Sequence, residues 1–389
     1  MVGLGQLNVY IKGRRLELFS TRSVKENRMQ KAWFYKEYGP KEVLQLGEFP
    51  IPTPHHNQIL VQVRAAALNP IDCKRRQQPI FPSDFPVSMK DNIYQMKKPV
   101  IQSEVESSGV VGIQVVPGCD MAGVVDAKGQ GVSKFNIGDE VYGNIQDFNA
   151  KGKLKQLGTL AEFIVVEESL VAHKPKNISF EEAASLPLAV QTAIEGFITG
   201  GFKEGQSIFV VGGAGGVGTL VVQQAKQVYG ASRVVATTST PKVGFVKSLG
   251  ADQVIDYTRT RYEEIKEKYD FVYDTVGDSR NSFAVAKDGA PTVDITWPPS
   301  HHKAMYSSLT VSAEGLEKLR PYLENGKLKA IIDPSGPYSF HDAIEAFRYL
   351  ETGRARGKVV ISTFGTMSLP HHLPCINKTN VVGKILVDQ

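Results

Sequence analysis

The chain has 389 residues, enough for two domains of ordinary size, and its 42% hydrophobic and 22% charged residues exclude a disordered, collagenous or coiled-coil protein. A net charge of +5, spread along the chain, is too small to argue for a nucleic-acid partner. No run approaches the ~18 apolar residues of a membrane helix, and three cysteines without CxxC spacing exclude a disulfide scaffold and fit a reducing compartment.

Residues 1–28 are basic and acid-poor, with Lys12, Arg14, Arg15, Arg22 and Lys25, and they lack the apolar core of a signal peptide. They read as a disordered extension; an organelle transit peptide and a start at Met29 are the alternatives. From Lys31 to Val63 apolar and polar residues alternate, broken by Gly39-Pro40 and Pro52-Thr53-Pro54, which signals strands and turns. A second β-rich stretch runs from Gly123 to Val171, with Gly138-Asp139-Glu140-Val141-Tyr142-Gly143 as a turn into a strand. Between the two, from about Ser88 to Gln114, no period is visible, and a loop of that length inside a compact domain is uncommon.

At Ser207 the pattern changes. Ile208–Val211 reads as a buried strand and Val217–Val228 as a helix with Val221, Val222, Ala225 and Val228 on one face. Val234–Ala236, Gln253–Ile255, Phe271–Tyr273 and Thr292–Ile295 are further strands, with a helix over Pro241–Leu249. This alternation predicts an α/β fold with a doubly wound parallel sheet. The chain is α/β again after Ala330 and ends its periodic part at Lys358-Val359-Val360-Ile361.

Gly213-Ala214-Gly215-Gly216-Val217-Gly218 fits GxGxxG and stands between a strand and a helix, the context that a dinucleotide site requires. Gly213 would make the tight turn, Gly215 would admit a pyrophosphate, and Gly218 would let helix and strand pack closely. The end of the next strand selects the cofactor. An NAD site places an acid there, about 20 residues on, to hold the ribose hydroxyls. This chain has Thr237-Thr238-Ser239-Thr240 and then Lys242. Hydroxyls and a lysine suit a 2′-phosphate, so NADPH is expected.

Three segments carry a family resemblance: Gly205 to Lys226, Pro117-Gly118-Cys119-Asp120-Met121-Ala122-Gly123-Val124-Val125, and Ala65-Ala66-Ala67-Leu68-Asn69-Pro70-Ile71-Asp72. Together they resemble the medium-chain dehydrogenase/reductase superfamily, within it the zinc-free quinone oxidoreductase (zeta-crystallin-like) branch, and there the plant enone, furanone and alkenal oxidoreductases. The resemblance covers about Gln30 to Phe364. It implies a GroES-like β domain over 29–186, a Rossmann domain over 187–325, and a return to the first domain over 326–364. It also implies a nicotinamide in the cleft between them. The family reads straight from Phe85-Pro86-Val87 to Val116-Pro117-Gly118, so 88–115 reads as an insertion and 365–389 as an extra tail, both resembling translated non-coding sequence.

Carried over residue by residue, Lys74 matches a lysine used at the nicotinamide and substrate, and Gly216 and Val217 match the cofactor loop. Ser239, Thr240 and Lys242 match the 2′-phosphate site, Tyr257 an adenosine-side contact, Ile295 the strand end near the nicotinamide, and Arg354 a basic position near the cofactor. Zinc members use cysteine and histidine ligands. Here Cys73 stands near the first such place, and Cys119-Asp120 replaces a His-Glu pair at the second, so no metal is expected. The expected chemistry is therefore NADPH-dependent hydride delivery to the β-carbon of an enone or alkenal. Lys74 would donate to the developing enolate oxygen, or would be a phosphate or surface lysine. Asn69 would orient the loop or the ribose, or make a structural side-chain-to-backbone bond, and Asp120 reads as structural. Quinone reduction, and NADPH binding without turnover, stand as alternatives. A small-molecule substrate, no membrane partner, a monomer or homodimer, and a cytoplasmic or chloroplast location complete the expectation.

Overall fold

The computed structural model describes residues 28–79, 114–146, 155 and 157–362, with the backbone of two strands nearer the N-terminus. Those two, β1 (Gln6–Ile11) and β2 (Arg14–Phe19), pair antiparallel with Ile11 opposite Arg14. They fall in the stretch expected to hold no element. Its charge count obscures a polar–apolar alternation in Gln6-Leu7-Asn8-Val9.

The first domain holds β3 (Met29–Phe34), β4 (Gln45–Pro50), β5 (Gln58–Leu68), helix α1 (Pro70–Gln77), β6 (Asp120–Lys128), β7 (Glu140–Asn144), β8 (Phe163–Glu167) and β9 (Val171–His173). Strand β5 is its hub. It pairs antiparallel with β6 along one edge and with β8 along the first half of the other. Val115, placed by the sequence within the insertion, belongs to this core. It is buried and exchanges two backbone hydrogen bonds with Tyr35, each 3.0 Å. Residues 88–113 of the expected insertion and the tail from 365 lie outside the described residues.

Helices α2 (Phe180–Ala184) and α3 (Pro187–Thr199) lead into the second domain. Its elements are β10 (Ser207–Val211), α4 (Gly216–Gln227), β11 (Arg233–Thr238), α5 (Val243–Ser248), β12 (Gln253–Asp256), β13 (Phe271–Asp274), α6 (Ser279–Ser282), β14 (Thr292–Asp294), β15 (Met305–Tyr306) and α7 (Ala313–Glu324). The strands form one parallel sheet in the order β12-β11-β10-β13-β14-β15. Ile208 to Val211 and Phe271 to Asp274 are buried throughout, as a sheet covered on both faces requires. Helix α3 lies directly on β13. A Cβ at Gly196 would stand 2.0 Å from the Tyr273 hydroxyl oxygen, so only glycine allows that approach. That hydroxyl donates to the carbonyl of Thr192 at 2.7 Å.

The chain then returns. β16 (Tyr338–Ser339), α8 (Ala343–Glu351) and β17 (Val359–Ser362) rejoin the first domain, with β17 pairing parallel to β16 and antiparallel to the second half of β5. The fold class is α/β, with a mostly antiparallel β domain and an inserted parallel-sheet domain.

Candidate functional site

The glycine loop stands between strand and helix as its spacing predicts, but the turn falls on Gly212 and not on Gly213, which instead packs closely on the next strand. β10 ends at Val211, Gly212 takes φ +81°, and α4 starts at Gly216 with Gly215 as its cap. A Cβ on Gly213 would lie 2.8 Å from that of Ala236, and one on Gly218 would lie 2.0 Å from the carbonyl oxygen of Gly212. Gly215 is different, since its Cβ would meet nothing nearer than 3.6 Å. Gly215 forms a parallel bridge with Gly357 that turns the Gly216 N–H to the Gly357 carbonyl, while the backbone N–H groups of Val217 and Gly218 donate to no acceptor among the described residues. A bare glycine face, free donors and the positive end of a three-turn helix together fit a pyrophosphate.

Toward β11 and β12 the loop meets the candidate 2′-phosphate residues. Ser239 precedes a single 3-10 turn over Thr240–Lys242, and β11 ends in buried threonines with no acid. Two of the candidate groups already have partners. Lys242 Nζ donates to the carbonyls of Arg354 (2.6 Å) and Ala355 (3.2 Å), and partial burial lowers its pKa. The Thr240 hydroxyl donates to Asp256, the last residue of β12, whose carboxylate also accepts from Thr258. Tyr257 is 55% exposed beside it. Arg354 is exposed, and Arg356, which the sequence did not single out, lies 4.9 Å above the Phe245 ring.

The third part lies where the domains meet. Asn69 caps α1 and is buried; its N–H donates to Asp72 Oδ2 at 2.8 Å, closing a capping box. Its side-chain amide donates to Asp120 Oδ2 at 2.9 Å. The same amide donates to the backbone carbonyl of Ala67 at 3.4 Å, the structural side-chain-to-backbone bond expected as the alternative for Asn69, besides its bond to Asp120. Asp120 Oδ1 accepts the N–H of Leu188 at 2.8 Å, in the first turn of α3. Lys358, at the start of β17, donates to Asn69 Oδ1 and lies 3.2 Å from Asp120 Oδ2. Cys119 Sγ donates to Asp72 Oδ1 at 3.2 Å. Burial dominates here. It pushes Asp72 up to about 6, raises Asp120 despite the Lys358 charge, and raises the Cys119 thiol.

Lys358 joins this network to the glycine loop. Its Cδ would stand 2.9 Å from a Cβ on Gly216, while Gly357 donates to the carbonyl of Ala214 at 2.9 Å. The sequence reading missed Lys358 as a site residue. Its signal is a lysine heading an otherwise apolar strand and forced inward by the strand. Lys74, by contrast, sits on the exposed face of α1, and its ammonium makes no hydrogen bond or ion pair among the described residues. Ile295 is half-buried just beyond β14, and its N–H donates to the carbonyl of Asp274 at 3.2 Å.

Among the described residues no group of three or more His, Cys, Asp or Glu side chains is placed to hold a metal ion. Cys73 and Cys119 are both buried. His301 and His302 occupy a loop and stack on each other at 4.5 Å, and Asn177 of one glycosylation-like tripeptide is used to donate to the Leu323 carbonyl. No helix among the described residues is long and apolar enough to cross a membrane.

Comparison with known proteins agrees with this geometry. Residues 55–176 match the alcohol dehydrogenase GroES-like domain and residues 249–361 the zinc-binding dehydrogenase family. A 2-methylene-furan-3-one reductase of Solanum lycopersicum is 47% identical over 85% of this chain and 78% of its own length. An NADPH-dependent alkenal/one oxidoreductase of Arabidopsis thaliana, a chloroplastic protein, is 44% identical over 85% of this chain and 79% of its own. Among solved structures, the quinone oxidoreductase from Coxiella burnetii superposes with a TM-score of 0.70 at 29% identity, covering 86% of this chain and 99% of that one.

Proposed function

This chain belongs to the zinc-independent, quinone-oxidoreductase-like branch of the medium-chain dehydrogenase/reductases, and on that premise we propose that it reduces the C=C bond of α,β-unsaturated ketones and aldehydes with NADPH. One observation carries the reading: a glycine cradle, with no acid at the end of β11, adjoins a buried polar network whose described residues offer no metal donor set. The chemistry that NADPH supplies when bound is hydride delivery, here to the β-carbon of the conjugated substrate. The chain would hold it with the free N–H groups of Val217 and Gly218 and the bare face of Gly215 and Gly216 at the pyrophosphate, and with Ser239, Thr240 and Lys242 at the 2′-phosphate. Asn69, Asp120 and Lys358 keep the β domain in register with the glycine loop.

Conjugation already makes the β-carbon electrophilic, so what the protein must stabilise is the charge growing on the carbonyl oxygen. A preorganised donor there is worth roughly 3 kcal/mol. We assign that donor to Lys74, whose ammonium has no competing partner among the described residues, and the α-proton to water. Lys74→Met is expected to lower kcat about 100-fold while leaving NADPH affinity within a few-fold. Wild-type turnover in that variant would remove Lys74 from the mechanism.

The functional test is NADPH consumption across matched enones, quinones and saturated ketones, with product analysis. The expected result is a saturated carbonyl product from enones only. Brisk oxidation of simple alcohols, or turnover that requires added zinc, would overturn it. The likeness to the Coxiella protein favours quinones as the second substrate class, and semiquinone detection separates the two. Lys242→Ala tests the cofactor end. Loss of a charged hydrogen bond is expected to weaken NADPH binding about 10-fold, with a smaller effect on NADH. Equal losses for both would show that Lys242 serves only the loop of residues 354–355.

A further inference from the structure

A second buried polar cluster closes the other side of the glycine loop. β13 and β14 run parallel with Asp274 opposite Asp294, the last residue of each strand. Residues in register on adjacent strands project from the same face, so the two carboxyls are neighbours. Neither is exposed. Asp274 Oδ1 accepts the N–H groups of Val276 (2.9 Å) and Gly277 (3.0 Å). Asp294 Oδ1 accepts the N–H and hydroxyl of Thr296 (2.8 and 2.7 Å), and its Oδ2 accepts the N–H of Ser300 at 3.4 Å. Asp274 Oδ2 has no hydrogen-bond partner among the described residues. An orphaned carboxylate oxygen, buried beside a second carboxylate, is unfavourable; a proton on it makes it a donor instead.

We propose that Asp274 carries a proton on Oδ2 at neutral pH and shares it with Asp294. We further propose that this singly protonated pair is a positioning device for the turns 275–277 and 295–297 beside the cofactor loop. The structure supplies the mechanical link. A Cβ on Gly212 would lie 2.5 Å from Val276 Cγ1 and 2.7 Å from Thr275 Oγ1, and one on Gly277 would lie 2.8 Å from Thr296 Oγ1. The two turns therefore lean on each other and on the first residue of the loop. In a parallel sheet the ligand crosses the carboxyl ends of the strands. Ser239 to Lys242 and Tyr257 take the β11–β12 side, so the β13–β14 turns border the nicotinamide half.

The surroundings favour the neutral form. Burial first, then the charges of Asp294 and Asp278, push Asp274 up to about 7. Tyr262, on a 3-10 turn ahead of β13, is itself raised to about 12 and stays neutral. β10 places Val211 opposite Asp274 and carries no charge, and α6 contributes only Arg280, which is exposed. In the loop after β14, burial and the neighbouring His302, Lys303 and Arg280 lower the pKa of His301. Loss of the proton adds a second buried anion and drives the two strand ends apart.

The cofactor clause rests on the function proposed above; the proton does not, and two measurements separate them. Infrared spectroscopy of the unliganded protein is expected to show a protonated-carboxyl band at neutral pH that disappears at alkaline pH and is missing in Asp274→Asn. Asp294→Asn is expected to move its midpoint down by more than about one unit. Nucleotide affinity is then followed from acid to alkaline pH with NADPH and with NADH, which lacks the titrating 2′-phosphate. Both are expected to weaken about tenfold as pH rises through neutrality in the wild type, and to be flat in Asp274→Asn. An Asp274→Asn protein that keeps the band, or an Asp294→Asn protein with an unmoved midpoint, overturns the shared proton. A flat wild-type profile overturns the positioning role. If neither nucleotide binds at any pH, the NADPH reading fails and the infrared band still decides the proton.

Discussion

Replacing Lys358 by Met is expected to destabilise the protein by roughly 3–5 kcal/mol, the usual cost of removing one partner of a buried ion pair. Methionine keeps the stem that packs over Gly216 and removes only the ammonium. What remains is Asp120, fully buried, with its second oxygen served by Asn69 alone, and an Asn69 carbonyl that has lost its donor. The cost has a defined pH dependence. Without Lys358, Asp120 in the folded protein rises further above its unfolded value. Its carboxyl is then stable as the acid, and the deficit vanishes below the unfolded value near 3.8. It grows as pH rises through the folded value and is complete above it. Urea midpoints from mildly acidic to alkaline pH check both size and sign. The double variant Lys358→Met, Asp120→Asn leaves no buried charge and is expected to recover more than half of the loss. A single-variant deficit under about 1 kcal/mol at alkaline pH, the range of exposed pairs, would mean that water reaches Asp120.

The second large effect separates two kinds of glycine in one loop. Gly218→Ala forces a methyl to within 2.0 Å of the Gly212 oxygen and 3.0 Å of Gly213 Cα. Both are backbone atoms of a tight turn, so the strain has no flexible side chain to absorb it. It is expected to cost about 1–3 kcal/mol of stability or more and to abolish NADPH binding. Gly215→Ala meets only open space at 3.6 Å and is expected to leave stability within about 0.5 kcal/mol. It should still weaken NADPH at least tenfold, about 1.4 kcal/mol, because the new methyl occupies the place the phosphates need. Thermal unfolding and fluorescence titration of both variants check this. Normal affinity in Gly215→Ala would mean that the phosphates lie elsewhere.

Much of the second domain was readable because its signals are local. Four apolar residues, a glycine turn and a 3.6-residue period specify β10, its loop and α4 within one residue of where they lie. The missing acid after β11 was equally legible. The crevice was not. Lys358 reaches Asp120 across 238 residues, and Lys242 finds the carbonyl of Arg354 across 112. The apolar strand after Lys358 and the hydroxyls before Lys242 mark both lysines, but nothing near either in sequence names the partner it meets. Asp120 read as structural, but nothing local could say that its partners would be the cap of α1, the start of α3 and a late strand. The Asp274–Asp294 pair was hidden for a related reason. Only strand register shows that two separate strand ends stand together.

Strand β17 has a consequence for how the protein is made. The β domain is begun before residue 70, yet its hub strand lacks a neighbour, and Asp120 its cation, until residues 358–362 emerge from the ribosome. The contiguous α/β unit can complete its sheet earlier. Synthesis therefore finishes the enclosing half last, and the nascent chain carries an open sheet edge and an uncompensated interior acid until then. During that interval a chaperone would find its strongest purchase along the second half of β5.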